Sequence, residues 1–248
     1  MIYLKTPDEI NKIEHANKIG AELLRECYEY IQPGISTIEL EHIAEKFCID
    51  NKVKPSFKGY SGYPFCLCIS VNEEIVHGFP SERVVKDGDL VSVDFGINKN
   101  GYYSDQAFTK CVGNVSEVAK KISKVTEECL YEGIYKATIG NRIYDISRAI
   151  QSHAEQNNFD VVRDFCGHGV GFCVHEDPKI LNYVSNNINW KLRSGMVIAI
   201  EPMLVEGAYE VDIEPNGWTA ITRDRKLSAH FEMSIAIFED GPKIFSKL

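Results

Sequence analysis

KDGDLVSVD (86–94) falls on RSGMVIAIE (193–201) when the chain is slid along itself by 107 residues, from 86 to 193. Upstream, IQPG (31–34) falls on ATIG (137–140) at an offset of 106, from 31 to 137. A likeness between two amphipathic helix pairs arises easily by chance. Two segments that agree to within one residue, and that superpose the carboxylates of Asp94 and Glu201, do not. The chain therefore reads as an internal repeat, and the contents of one half predict those of the other.

In the first half, Thr6, Pro7 and Glu9 form a capping box with proline at the first helical position, so a helix starts there and runs to about Ile31. Ser36 and Glu39 repeat the signal for a second helix over roughly 37–51, after which Gly59, Gly62 and Pro64 punctuate a loop leading to the β-rich FCLCISVNEEIVHG. The same order returns as EVAKKISKVTEECLYEGIYKAT, the turn TIGNR, and IYDISRAIQSHAEQNNF. An α+β fold is expected, with residues 1–248 as a single domain whose halves span roughly 6–110 and 114–240.

Composition bounds the function. A hydrophobic share of 44% and a charged share of 25% are ordinary for a globular protein. The net charge of −9, with no basic cluster, argues against a nucleic-acid partner. No apolar stretch approaches the ~20 residues of a membrane span, and the N-terminus lacks the pattern of a signal peptide. Eight cysteines without an export signal or any CxxC pair read as reduced thiols of a cytoplasmic protein.

Three strands each aim one acid away from an apolar face. In VSVDFGI, Val91, Val93, Phe95 and Ile97 share one face and Ser92 and Asp94 the other; RSGMVIAIE treats Glu201 likewise, and SAHFEMSIAIF places His230, Glu232 and Ser234 opposite its apolar side. Asp105 joins them through a hairpin. A two-residue loop at Lys99–Asn100 would pair Asp94 with Asp105, and a loop at Asn100–Gly101 would make them diagonal neighbours on the same face. Opposed residues have Cβ atoms ~4.5–5.5 Å apart, where like charges destabilise a sheet. A divalent cation between the acids removes the repulsion; isolated buried carboxylates would otherwise protonate.

Histidine comes from FCGHGVGFCVHEDP, whose Gly167, Gly169 and Gly171 rule out a helical metal-binding pair. Seven residues apart, His168 and His175 would point to opposite faces of an unbroken strand. Either the glycines bend the chain or one of the two binds metal; one ligand and one substrate-facing residue is the favoured reading. Four acids with an imidazole suit Mn, Fe, Co or Zn and are too anionic for one ion, so two divalent metals are expected. Such sites lower the pKa of a bridging water and polarise the carbonyl under attack.

With these residues in hand, the chain resembles the methionine aminopeptidases of the type I bacterial group over essentially its whole length. GYSGYPFCLCISVNEEIVHGFP, VDFGINKNGYYSD, CGHGVGFCVHEDP, MVIAIEP and HFEMSIAI each look like the corresponding family segment. The resemblance implies the pita-bread fold, two pseudo-symmetric ααββ halves around a curved antiparallel sheet. It implies metal ligation by Asp94, Asp105, His168, Glu201 and Glu232, with Asp105 and Glu232 bridging, His168 and Glu201 completing one metal and Asp94 chelating the other. It further implies that His77 and His175 position substrate and assist the departing amine, that Glu201 moves the proton of the attacking water, and that Tyr60, Tyr63, Cys68, Val174 and Trp218 line the methionine pocket. Two departures bear on pocket shape: Val174, where relatives often carry phenylalanine, and Phe57, where a smaller residue is common.

The expected activity is removal of the initiator methionine from nascent polypeptides near the ribosome exit, by a monomer, when the second residue is small. A proline-directed peptidase, such as a prolidase or Xaa-Pro aminopeptidase, shares the fold and ligands and is the alternative, though such enzymes usually carry a separate N-terminal domain. A binding protein on the same fold would have lost ligands, and all five are present.

Overall fold

Thr6 ends the extended N-terminal segment because its hydroxyl accepts the Glu9 amide while the Glu9 carboxylate accepts the Thr6 amide at 2.8 Å. Helix α1 (Pro7–Tyr30) follows, then α2 (Thr37–Asp50), where the Glu39 carboxylate accepts the Ser36 amide at 2.7 Å. In the second half Ser116 caps α3 (Glu117–Lys136), and Asp145 accepts the Arg142 amide at 2.9 Å at the start of α4 (Ile143–Gln156). Arg142 and Asp145 stand 106 residues after Ser36 and Glu39. The isolated bridge Ser36↔Val84 likewise recurs as Arg142↔Lys191. The computed structural model describes residues 1–185 and 189–246.

The strands that matter here are β1 (Cys68–Val71), β2 (Leu90–Phe95), β3 (Gln106–Cys111), β4 (Gly167–Gly169), β5 (Glu176–Ile180), β6 (Val197–Ile200), β7 (Glu232–Phe238) and β8 (Gly241–Ile244). They form one antiparallel sheet in the order β5-β4-β6-β7-β3-β2-β1, with β8 paired to β7. The β7–β3 junction divides it, so that β1, β2 and β3 of the first half mirror β4, β6 and β7 of the second. Helices α1 and α2 cover Val91, Val93 and Phe95, while α3 and α4 cover Met196, Ile198, Ile200, Ile235 and Ile237. Each fully buried Leu or Ile of these two clusters contributes roughly 1.5–3 kcal/mol, which is what sets the face on which the acids are left.

The hairpin between β2 and β3 turns at Asn100–Gly101, not at Lys99–Asn100. Asn98 pairs with Tyr103, and both loop residues have positive φ, 55° and 88°. Asn-Gly tolerates that mirror-image turn, whose twist matches the strands. Asp94 therefore lies opposite Ala107, and Asp105 is its diagonal neighbour. The ladder is also broken at Gly96, where an added Cβ would sit 2.5 Å from the Ser104 carbonyl oxygen.

Candidate metal centre

Strand register brings the acids together. Cys68, Asp94, Ala107 and Glu232 form one row across β1, β2, β3 and β7, so Asp94 and Glu232 flank the small side chain of Ala107. A second row, His168, Ala199 and Ser234, crosses β4, β6 and β7. Glu201 follows two residues after Ala199, and Glu232 stands two before Ser234. Ligand atoms of Asp94, Asp105 and Glu232 lie within 4.8 Å of one another, and so do those of His168, Glu201 and Glu232.

Asp105 and Glu232 are each 2% exposed. Asp94 Oδ1, Asp105 Oδ1 and Glu232 Oε1 are buried without a hydrogen-bond partner, and among the described residues no lysine or arginine lines this cavity. Four acids sharing one enclosed space cannot all ionise unaided. Burial pushes the Asp94 carboxyl up to about 7, and burial plus the neighbouring acids raise those of Asp105, Glu201 and Glu232 well above the usual range. Orphaned oxygen donors with one imidazole are the donor set of a divalent cation, so these residues fit a metal.

His168 is prepared as a ligand. Its Nδ1 donates to the Gly169 carbonyl at 3.0 Å, and burial lowers its pKa to about 3, so the ring is neutral with the Nε2 lone pair free. That atom lies 3.3 Å from Glu201 and 3.6 Å from Asp105. His168 and His175 do not diverge: Gly171, at φ 139°, lets the chain leave the strand, and the two rings meet at 4.4 Å. His175 is within ligand reach of Asp105 and His168, so geometry alone allows it a metal contact as well as a substrate contact. Flanking glycines serve strand packing, since a Cβ on Gly167 or Gly169 would lie 2.4 or 2.3 Å from the carbonyl oxygens of Ala199 and Asp177.

His77 holds a left-handed backbone, φ 58°, and its ring meets those of Phe165 and Trp218 at 5.2 and 6.1 Å. Burial and the nearby His175 lower its pKa to about 4, so its ring is neutral at pH 7. A cavity of ≈ 220 Å³ runs from the acids to Tyr60, Tyr63, Cys68 and Trp218. The Tyr63 hydroxyl donates to the Leu67 carbonyl at 2.9 Å and presents its ring. Val174 does not line that cavity. It packs with Phe57, Tyr63 and Cys68 as backing to the wall.

Sequence reasoning passed over Phe165 and Cys166, which line the same cavity. It placed His230 on the right face and gave it no role; its buried Nε2 is unpartnered and 3.9 Å from both Glu201 and Glu232. Period-two alternation from Glu232 was the available signal. A fourth acidic group, Glu41, Glu45 and Cys66, is accounted for structurally: Glu41 accepts the amides of Cys66 and Leu67, and Glu45 pairs with Lys58.

Residues 11–239 match the model of metallopeptidase family M24. The chain is 49% identical over 246 residues to a methionine aminopeptidase of Clostridium perfringens, covering 99% of each. It is 48% identical to methionine aminopeptidase 1 of Bacillus subtilis over 100% of both chains. The crystal structure of a methionine aminopeptidase from Thermotoga maritima superposes with a TM-score of 0.97 at 44% identity, covering 100% of each chain. The curved antiparallel sheet with four helices is the pita-bread fold.

Proposed function

The chain belongs to metallopeptidase family M24, and we infer from this and from its pocket that it hydrolyses the first peptide bond of polypeptides that begin with methionine. It is a metal-dependent aminopeptidase. One observation carries the reading: Asp94, Asp105, His168, Glu201 and Glu232, three of them with orphaned carboxylate oxygens, border the same cavity as the uncharged wall of Tyr63, Cys68 and Trp218.

Asp94, Asp105, His168, Glu201 and Glu232 would hold two divalent ions, of Mn, Fe, Co or Zn. When bound, such ions supply an acidified water and polarise the carbonyl under attack. Glu201, which borders the cavity beside His168, takes the proton of the attacking water and passes it toward the departing amine. His77 and His175, at the cavity mouth, hydrogen-bond to the peptide and to the oxygen on which charge develops. The products are free methionine and the shortened chain.

Specificity comes from the far wall. Phe57, Tyr60, Tyr63, Cys68 and Trp218, with Val174 behind, offer aromatic edges and a thiol to an unbranched thioether and nothing to a charge. A second residue must pass His77, so glycine, alanine and serine are favoured there. The chain acts as one catalytic domain, a monomer, on nascent N-termini near the ribosome exit in the cytoplasm; among the described residues no helix is long and apolar enough to cross a membrane.

Comparison of kcat/KM for Met-Xaa-Gly tripeptides with Ala-Pro-Gly tests the assignment. Met-Ala-Gly should be cleaved fastest and norleucine should substitute for methionine within ~1–3 kcal/mol. Faster cleavage of Ala-Pro-Gly would make the chain a proline-directed peptidase instead.

A further inference from the structure

Lys5 and Glu176 form an ion pair at 2.6 Å whose side chains are only 1% and 2% exposed. They are 171 residues apart and belong to no part of the metal cluster. Burying both charges is costly unless every remaining donor and acceptor is used, and here the second carboxylate oxygen is used. Glu176 Oε1 accepts the amide of Phe172 at 2.5 Å and that of Cys173 at 3.1 Å, closing the turn that follows Gly171. Lys5 is fixed in turn, its amide donating to the Gly195 carbonyl at 2.7 Å and its ammonium lying 5.4 Å from the centre of the Phe172 ring. Between the two amides that Glu176 holds and Glu176 itself lie Val174, behind the substrate pocket, and His175, whose ring contacts His168 and Tyr60 at 4.4 and 5.0 Å.

We propose that Lys5 is a positioning residue for the reaction: by neutralising Glu176 it keeps that carboxylate inside the 172–175 turn and so holds His175 and Val174 in place over the metal cluster. The inference rests on the activity proposed above. Without Lys5 the carboxylate is an unpaired buried charge, and it regains water only by leaving the turn. Its departure frees the Phe172 and Cys173 amides and lets His175 swing. Asp94, Asp105, Glu201 and Glu232 stand on other segments, and His168, on β4 beside Glu176, is held separately by its pairing with Ala199 and by its own bond to the Gly169 carbonyl.

Lys5→Met should lower kcat for Met-Ala-Gly about ten-fold or more, in line with the cost of misplacing a substrate-contacting group by ~1 Å, with bound metal per chain equal to wild type. Lys46→Met, which removes an exposed pair with Asp50 on α2, serves as the control. If Lys5→Met fails to fold, the double variants Lys5→Met/Glu176→Gln and Lys5→Met/Glu176→Ala carry the test, because neither buries an unpaired charge. The glutamine oxygen still accepts the two amides and should retain activity, and alanine should lose it. A Lys5→Met enzyme within about two-fold of wild-type kcat, or double variants of equal kcat, would reduce the pair to a structural one and overturn the proposal. Wild-type protein that leaves Met-Ala-Gly intact would overturn the activity itself, and this inference with it.

Discussion

Replacing Asp94 by asparagine should stabilise the metal-free protein and destabilise the metal-loaded one. In the folded chain the Asp94 carboxyl is pushed up to about 7 from an unfolded value of 3.8, first by burial. The sign follows from that order. Below 3.8 both states are protonated and the group costs nothing; as pH rises the unfolded chain gives up the proton first, so folding loses stability until pH passes 7. A rise of roughly three pK units at about 1.36 kcal/mol each sets a ceiling of about 4 kcal/mol at pH 8. Asparagine never ionises, and its amide can donate to Asp105, so the variant escapes this cost. For a chain of this length that is a gain of roughly 10 °C in Tm. Mn²⁺ in large excess reverses the ranking: an ion at more than about 1,000 times its Kd stabilises the wild type by more than about 4.1 kcal/mol, above the ceiling on the asparagine gain, and the variant has lost a ligand. Thermal unfolding with chelator at pH 4 and pH 8, and with Mn²⁺ at pH 8, measures all three states. An asparagine variant no more stable than wild type in chelator at pH 8, or equally favoured at pH 4 and pH 8, would refute the reasoning.

Further outcomes follow from the same geometry. His168→Ala should cut both metal content and turnover, whereas His77→Ala should cut turnover with metal content nearly unchanged; atomic absorption beside kcat separates them, and equal metal loss would make His77 a ligand. Binding of Mn²⁺ near pH 6.5 should release protons, because the raised carboxyls must ionise while His168, with its pKa lowered to about 3, is already neutral, so affinity falls as pH drops below 7. Calorimetry in buffers of different ionisation enthalpy counts the protons, and a count of zero would contradict the burial argument. Gly78→Ala would place a Cβ 2.1 Å from the Ile69 carbonyl oxygen, where backbone must yield, at a cost of roughly 3 kcal/mol or more and a displaced His77. Urea titration beside kcat/KM checks it, and wild-type values in both would show that the strand crossing is slack.

Much of the molecule was legible locally. Thr6 and Ser36 announce their helices because a cap is made within four residues, and the acids on β2, β6 and β7 declare their face because alternation is a property of one strand. Helices α3 and α4 end at Lys136 and Gln156, short of the segments the sequence marks out, since helix ends fray into turns there. Resemblance over the whole chain supplied the candidate ligand set. What neighbouring residues could not say is which rows of the sheet coincide. The hairpin loop had two settings, and the unobstructed twist at Asn100–Gly101 selected one. For His168 and His175 the sequence leaves open a bent chain or a single metal-binding ring; a turn at Gly171, held from the far end of the chain by Lys5 through Glu176, brings the two rings together. Val174 was placed in the pocket wall and lies behind it, and His230 had the right face and no visible partner until β7 was set beside Glu201. Each of these depends on contacts between residues far apart in the chain, whose energies are decided by packing and burial, whereas caps and alternation are decided by the few bonds and side chains on either side.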